Sequence, residues 1–152
     1  MIREIRKDEL NQLLNLYLHL HEVSVPEQSA QLENVWNRIM NNEDYHLIVA
    51  EEDGKIVSSI TCVIVPNLTR EVSSYAFLEN AVTHPDYRGR GLVTQCIKYA
   101  ENIARDNGCY KMMLITGSSN PKTHGVYKNA GFFSEGKTAY YKMLKEVNWN
   151  HQ

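Results

Sequence analysis

Two glycines alternate with two arginines in His84-Pro85-Asp86-Tyr87-Arg88-Gly89-Arg90-Gly91-Leu92-Val93, and no other stretch limits the fold as much. An apolar, strand-patterned run over residues 73–83 ends just before it, and a long helical pattern begins at Leu92. A strand that feeds a helix through such a turn is a place to hold phosphates. Backbone N–H groups converge there, the helix dipole is positive there, and glycine lets the backbone come close. A tight turn with two solvated arginines is the plainer reading; the helix that follows at once favours the anion site.

The rest of the chain surrounds that turn. Residues 2–6 alternate apolar and charged side chains and predict a short strand. Asp8 can cap a helix carrying Leu10, Leu13, Leu14, Tyr17, Leu18 and His21 on one face. A second amphipathic helix begins near residues 27–30 and runs through Leu32, Val35, Trp36, Ile39 and Met40. Residues 45–50 and 56–65 read as strands joined by a hairpin turn at Asp53-Gly54. After residues 73–83 and the Gly-Arg turn, Val93, Cys96, Ile97, Ala100, Ile103 and Ala104 form one helical stripe, stopped at Asn107-Gly108.

The nearly continuous apolar run at 109–116 predicts a buried strand, parallel to the preceding one by a right-handed crossover. Asn120 and Pro121 mark a short helix through Val126, Tyr127 and Ala130, ending at Gly131. Phe132-Phe133 opens a last β segment, residues 138–144 form the final strand, and residues 147–152 are a tail, frayed from Trp149 to Gln152. The order β-α-α-β-β-β-α-β-α-β-β is an α/β (α+β) chain with helices on the faces of a mixed sheet.

With 152 residues, one domain over 1–146 can bury a real core. A formal net charge of −2 argues against a general nucleic-acid or membrane-surface binder. Positive charge is local, at Arg88 and Arg90, which suits a small anionic partner. No run approaches the ~20 apolar residues of a membrane span, and the N-terminus has no signal-peptide pattern. Three cysteines, Cys62, Cys96 and Cys109, with no CxxC pair, fit a reducing cytosol and leave a cytoplasmic protein as the expectation. His19-Leu20-His21-Glu22 might suggest a metal, but positions two apart do not share a helix face, so no metal site is expected.

The element order and the turn together resemble the GCN5-related N-acetyltransferase (GNAT) family. Arg88-Gly89-Arg90-Gly91-Leu92-Val93 is similar to that family's loop Arg/Gln-x-x-Gly-x-Gly/Ala at its first and fourth positions. Val93 stands where the family usually has Gly or Ala, and the backbone N–H at that position survives. Pro85 to Gly91 matches the lead-in, and Asn120, Tyr127, Gly131 and Phe132 match the Asn…Tyr…Gly-Phe segment downstream. Within the family, Glu79-Asn80-Ala81-Val82 and Gly108-Cys109-Tyr110-Lys111 are similar to short segments of glucosamine-phosphate N-acetyltransferases.

The resemblance implies a mostly antiparallel sheet of about seven strands, splayed between the fourth and fifth, with about four helices. It implies acetyl-CoA as co-substrate and a primary amine as acceptor, of a small molecule rather than a protein. A protein N-terminal or lysine acetyltransferase and a non-catalytic CoA-binding module remain alternatives, and a homodimer is the family's habit.

By the resemblance, the backbone of Gly89, Arg90, Gly91, Leu92, Val93 and Thr94 holds the pyrophosphate, with Arg88 and Arg90 as charge partners. Ala81, Val82 and Thr83 hold the pantetheine arm and the thioester carbonyl; ordinary strand pairing is the competing reading. Tyr127 takes the general-acid role, where by its residue type alone it is a core aromatic. Glu79, a carboxylate in an otherwise apolar strand, is the candidate base, directly or through a water; alternation equally allows a solvent-facing residue. Asn120 has two compatible roles, helix cap by its own chemistry and pantetheine contact by resemblance. Tyr140 or Tyr141 could enter the acceptor pocket.

Overall fold

Branched apolar side chains crowd residues 45–52 and 55–65, and a strand so composed needs cover on both faces. The computed structural model describes residues 1–148 and supplies that cover. β1 (Ile2–Glu4), β2 (Tyr45–Glu52), β3 (Lys55–Val65), β4 (Tyr75–Thr83) and β5 (Met112–Leu114) form one sheet in that order. The pairs are antiparallel except β4 with β5, which is parallel. The helices are α1 (Leu10–Tyr17), α2 (Ala30–Met40), the single turn α3 (Thr69–Val72), α4 (Leu92–Asp106) and α5 (Pro121–Asn129).

Each face of the sheet has its own apolar layer. α4 turns Cys96, Ile97, Ala100 and Ala104 onto Ile48, Ile60, Cys62 and Leu78. On the other face Leu13 and Leu16 of α1 and Trp36 of α2 cover Leu47, Val49, Ile56 and Val82. The three- and four-residue spacing of these side chains is what lets each helix bury one stripe. Trp36 Nε1 also donates to the Lys7 carbonyl at 3.0 Å, which ties α2 to the start of the chain. The Asp53-Gly54 turn is left-handed at both residues (φ 53° and 73°), as a tight hairpin between twisted strands demands.

β4 carries the sheet's main irregularity. Ala76 and Leu78 belong to the α4 layer, whereas Val82 belongs to the opposite one. Strict alternation would put all three on one face. The change of face falls at Asn80, which adopts a left-handed conformation (φ 56°). The register there passes from Glu79–Thr61 to Val82–Ser59, so β4 holds one extra residue, a β-bulge.

Beyond the bulge the sheet splays. β5 pairs with β4 only at Ala76–Met112, Phe77–Met113 and Leu78–Leu114, while β4 runs on to Thr83.

The sequence expectation of about seven strands is corrected to five among the described residues. Neither the segment opening at Phe132-Phe133 nor residues 138–144 forms a strand, and every residue from 133 to 148 is exposed. Alternation supplies the side-chain pattern of a strand, but a strand also needs an edge to pair with, and here these residues meet none. Five helices replace about four, the extra one being α3. α1 ends at Tyr17 rather than reaching His21, and a 3-10 turn, Lys7–Glu9, precedes it. Asp8 does not cap that turn; the Glu9 side chain instead accepts the Arg6 backbone N–H at 2.8 Å. The expected fraying from Trp149 to Gln152 lies outside the described residues. Among the described residues no helix is long and apolar enough to cross a membrane.

Candidate active site

The Gly-Arg turn lies between the end of β4 and the start of α4. His84 opens it: its Nδ1 accepts the Asp86 N–H at 3.2 Å and caps a 3-10 turn, Pro85–Tyr87. Gly89 and Gly91 are both left-handed (φ 78° and 73°), a conformation that other residues reach only under strain. Gly91 is the N-cap of α4 and, having no side chain, leaves the first-turn N–H groups of Leu92, Val93 and Thr94 without a side-chain cap. A Cβ added at Gly89 or Gly91 would meet no atom within 4 Å, so the turn is open on its outer side. Open N–H donors at the positive end of a helix fit a diphosphate.

The two arginines differ in their engagements. Arg88 Nε donates to the Thr83 carbonyl at 3.2 Å. Arg90 folds back: Nη1 donates to Glu52 Oε2 at 2.9 Å, and its guanidinium lies 4.7 Å from the centroid of the Tyr87 ring. Its charge is therefore partly answered by Glu52, a partner the sequence did not suggest. The Val93 side chain is half-buried against the α4 layer.

Upstream, the bulge determines what β4 presents. Asn80 and Ala81 have no paired residue on β3, and from Glu79 onward β4 has none on β5. Ser58 holds the far side of the bulge, its hydroxyl donating to the Val82 carbonyl at 2.9 Å and lying 2.9 Å from Thr83 Oγ1. The backbone from Glu79 to Ala81 is thus without a strand partner on β5, while the Val82 carbonyl is tied down by Ser58. Glu79 itself is exposed.

Tyr127, on α5, is half-buried and packs edge-on to Phe132, with ring centroids 6.3 Å apart. Burial pushes its hydroxyl above the ordinary tyrosine value, and the Glu79 carboxylate pushes the same way. The two candidate catalytic groups are therefore in electrostatic reach of one another. Asn120 caps α5, its side chain accepting the Lys122 N–H at 2.9 Å. His124 lies 2.6 Å from the Ser118 carbonyl through Nε2, which fixes the loop before α5. Tyr140 and Tyr141 are exposed.

Tyr17 and Thr61, which sequence reasoning did not single out for the site, lie near Asn80 of β4, and His19, which it offered as a possible lining of the acceptor site, lies near the Gly-Arg turn. Burial pushes Tyr17 up to about 12, and Thr61 and Asn80 beside its hydroxyl act against that rise. Thr61 Oγ1 and His19 Nδ1 are buried without a well-formed hydrogen bond among the described residues. His19 meets His84 edge-on, centroids 4.7 Å apart, so the end of α1 reaches the Gly-Arg turn. An asparagine inside an apolar strand was the available signal for this side, since Asn tolerates the left-handed conformation.

The thiols are placed otherwise. Cys62 and Cys96 are buried, and burial pushes each up to about 12; Cys109 is raised by the same cause. Such thiols are poor nucleophiles at neutral pH. Among the described residues no group of three His, Cys, Asp or Glu is placed to hold a metal ion. Two open hollows, about 730 and 370 Å³, lie around the end of α2 and the start of β2 and contain none of these groups. The chemistry, not the volume, marks the site.

Comparison with known proteins gives the same outline. Residues 10–132 match the model of the acetyltransferase (GNAT) family. Glucosamine 6-phosphate N-acetyltransferase of Trypanosoma brucei brucei is 30% identical over 86% of this chain and 87% of its own. Aminoglycoside N(6')-acetyltransferase type 1 of Acinetobacter genomosp. 13 is 22% identical over 83% of this chain and 88% of its own. Among solved structures, a putative acetyltransferase from Agrobacterium tumefaciens superimposes with a TM-score of 0.85 at 36% identity, covering 94% of this chain and 99% of that one.

Proposed function

The chain belongs to the acetyltransferase (GNAT) family, and on that premise we propose that it moves an acetyl group from acetyl-CoA to the primary amine of a small molecule. The observation that carries the reading is that β4 and β5 stop pairing at Leu78, just before Glu79, whose charge reaches Tyr127. A splayed sheet with an acid and a base at its mouth suits a thioester lying between the strands and an amine arriving beside it.

Acetyl-CoA supplies the activated acetyl group, and the chain's residues do the rest. The N–H groups of Gly89, Arg90, Gly91, Leu92, Val93 and Thr94, with Arg88 and Arg90 nearby, hold the pyrophosphate. The backbone of Ala81, Val82 and Thr83 holds the pantetheine arm and directs an N–H at the carbonyl oxygen, the usual means of stabilising charge that develops there. Asn120 adds a contact to the arm from the cap of α5. Glu79 takes the proton from the acceptor ammonium, directly or through a water. Tyr127, kept protonated by burial and by Glu79, gives its proton to the leaving thiolate; positioned acids of this kind contribute typically ~10²–10⁴-fold. The buried thiols support direct attack in a ternary complex over an acetyl-cysteine route.

Two relatives carry acceptor names, glucosamine 6-phosphate and aminoglycoside, and both acceptors are amino sugars. That supports a small-molecule amine here. The acceptor would lie on the α1 side of β4, near the buried Thr61 Oγ1 and His19 Nδ1. We read residues 1–146 as one catalytic domain. A cytoplasmic setting goes with the three free cysteines.

The test is release of free thiol from acetyl-CoA with a panel of amines that includes glucosamine 6-phosphate, an aminoglycoside and lysine peptides. Turnover confined to small amines supports the proposal. Turnover confined to peptides would make it a protein acetyltransferase, and tight CoA binding with no turnover on any amine would make it a binding module.

A further inference from the structure

We infer that His84 is a positioning residue for the pyrophosphate turn, and that its Nδ1 and its ring do separate jobs. Nδ1 holds the turn in the shape that receives the pyrophosphate. The ring ties that turn to His19 at the end of α1. The inference rests on the turn being the cofactor's pyrophosphate site.

His84 is anchored before it acts. It follows the last residue of β4, and its backbone N–H donates to the Val57 carbonyl of β3 at 2.8 Å. From that fixed point it takes two donors of the turn. Its carbonyl accepts the Tyr87 N–H at 2.9 Å, and its Nδ1 accepts the Asp86 N–H at 3.2 Å. A backbone N–H only donates, so Nδ1 presents its lone pair to the turn. Pro85 has no N–H, which makes that of Asp86 the first donor the turn has to place. The Asp86 carbonyl accepts Arg90 Nη2 at 3.3 Å, so this one residue is gripped at both ends of its backbone. Gly89 and Gly91 follow, the least restricted residues of the turn. Their path is set by the backbone that leads into them.

Asparagine or aspartate is the ordinary side chain for accepting the N–H two residues on. Histidine does the same here and adds a ring with contacts of its own. It meets the His19 ring edge-on at 4.7 Å and the Tyr87 ring edge-on at 5.8 Å. The Arg90 guanidinium lies 4.7 Å from the Tyr87 ring centroid. His19 belongs to the closing turn of α1, its N–H donating to the Leu16 carbonyl at 3.0 Å, and its Nδ1 is buried. A row of packed side chains, His19, His84, Tyr87 and Arg90, therefore runs from the end of α1 to the turn. Asparagine at 84 would keep the acceptor and lose the row. Phenylalanine would keep the row and lose the acceptor.

That pair of variants is the test, made on the full chain. CoA affinity is read by calorimetry, exchange of the Asp86 amide in the free protein by NMR, and the His19 ring-proton signals by NMR with and without saturating CoA. His84→Phe should weaken CoA about tenfold, the size of one lost cap, and speed exchange at Asp86. Its His19 signals should still move on adding CoA, as in the parent. His84→Asn should keep CoA affinity within about twofold and keep the Asp86 amide protected, while the His19 signals no longer move. CoA bound equally by His84→Phe and the parent overturns the role of Nδ1. His19 signals that move as far in His84→Asn as in the parent, or that do not move in the parent, overturn the role of the ring, and this reading holds even where His84→Phe fails to fold. Equal loss of affinity in both variants would make His84 ordinary packing. A parent that binds no CoA sinks the acetyl-CoA reading and this inference with it, whereas every other adverse result leaves that reading standing.

Discussion

Glu79 stands opposite Thr61 on β3, yet three residues further along β4 Val82 pairs with Ser59, only two residues from Thr61. The mismatch is absorbed at Asn80, which is left-handed inside β4. Its consequence is that Glu79 and Val82, an odd number of positions apart, both turn toward the α1 side, while the backbone between them is released from β3. A β-branched residue resists that conformation by roughly 1–2 kcal/mol, and glycine accepts it. Asn80→Val should therefore lower stability by about that amount in urea melts and raise KM for acetyl-CoA. Asn80→Gly should keep KM near that of the parent. If Asn80→Val leaves KM untouched, the bulge does not shape the cofactor site.

Tyr127→Phe keeps the ring that packs edge-on to Phe132 and removes the hydroxyl that would give the proton. Its kcat should fall ~10²–10⁴-fold while CoA affinity, read by calorimetry, stays the same. Glu79 provides a second handle on the same proton. Its carboxylate raises the Tyr127 value, so the acid should keep its proton through the neutral range and lose it only above pH 10. Glu79→Gln removes that negative charge. The alkaline limb of the residual rate should then move to lower pH. An alkaline limb that stays in place would assign the acid elsewhere.

Much of this site was legible because its signals are local. Gly89 and Gly91 announced a tight turn at a helix start, and Asn120-Pro121 announced the cap of α5; neither depends on partners distant in sequence. Asp53-Gly54 told its hairpin for the same reason. The bulge was not legible, since Asn80 in a strand can simply face solvent, and only the register against β3 decides. Nor was the left-handed run Arg70, Glu71 and Val72 in α3, three non-glycine residues that local preference opposes by ~1–2 kcal/mol each. Residues 138–144 failed in the opposite direction: their pattern is that of a strand, but pairing is a relation between two segments and one of them was missing. Arg90 shows the same limit on a smaller scale, because Glu52 comes from a distant hairpin.

Gly91 and Val93 separate backbone from side chain in the pyrophosphate turn. Gly91→Ala meets no atom, so its cost is conformational, on the order of 1–2 kcal/mol. Because that strain falls on the residue that aims the first-turn N–H groups, it should weaken CoA binding about tenfold. Val93→Ala leaves its N–H in place and removes two methyl groups that pack against the α4 layer. It should cost about 1 kcal/mol of stability and leave CoA affinity within about twofold. Calorimetry on both variants decides; a larger loss of affinity from Val93→Ala than from Gly91→Ala would mean that side-chain packing, not N–H donors, dominates the turn.

Glu9 offers a prediction about pH that is independent of catalysis. It is 5% exposed, and Arg3 donates to both of its oxygens, at 2.6 Å and 2.9 Å, while also reaching Glu51 at 2.6 Å. These bonds join the start of α1 to β1 and β2. The Arg3 guanidinium, more than the opposing effect of burial, holds the Glu9 carboxyl below its ordinary value of 4.5. A carboxylate with a depressed folded value stabilises fully above the unfolded value, and that contribution is lost as pH falls through the folded one. Glu9→Gln should cost about 3 kcal/mol at neutral pH, at the lower end for a broken buried pair because Arg3 keeps Glu51. Its stability should also fall less steeply than the parent's as pH drops below 4.5, so the two curves converge. Urea melts across that range provide the measurement; curves that stay parallel down to strongly acid pH would show that Glu9 does not titrate with folding.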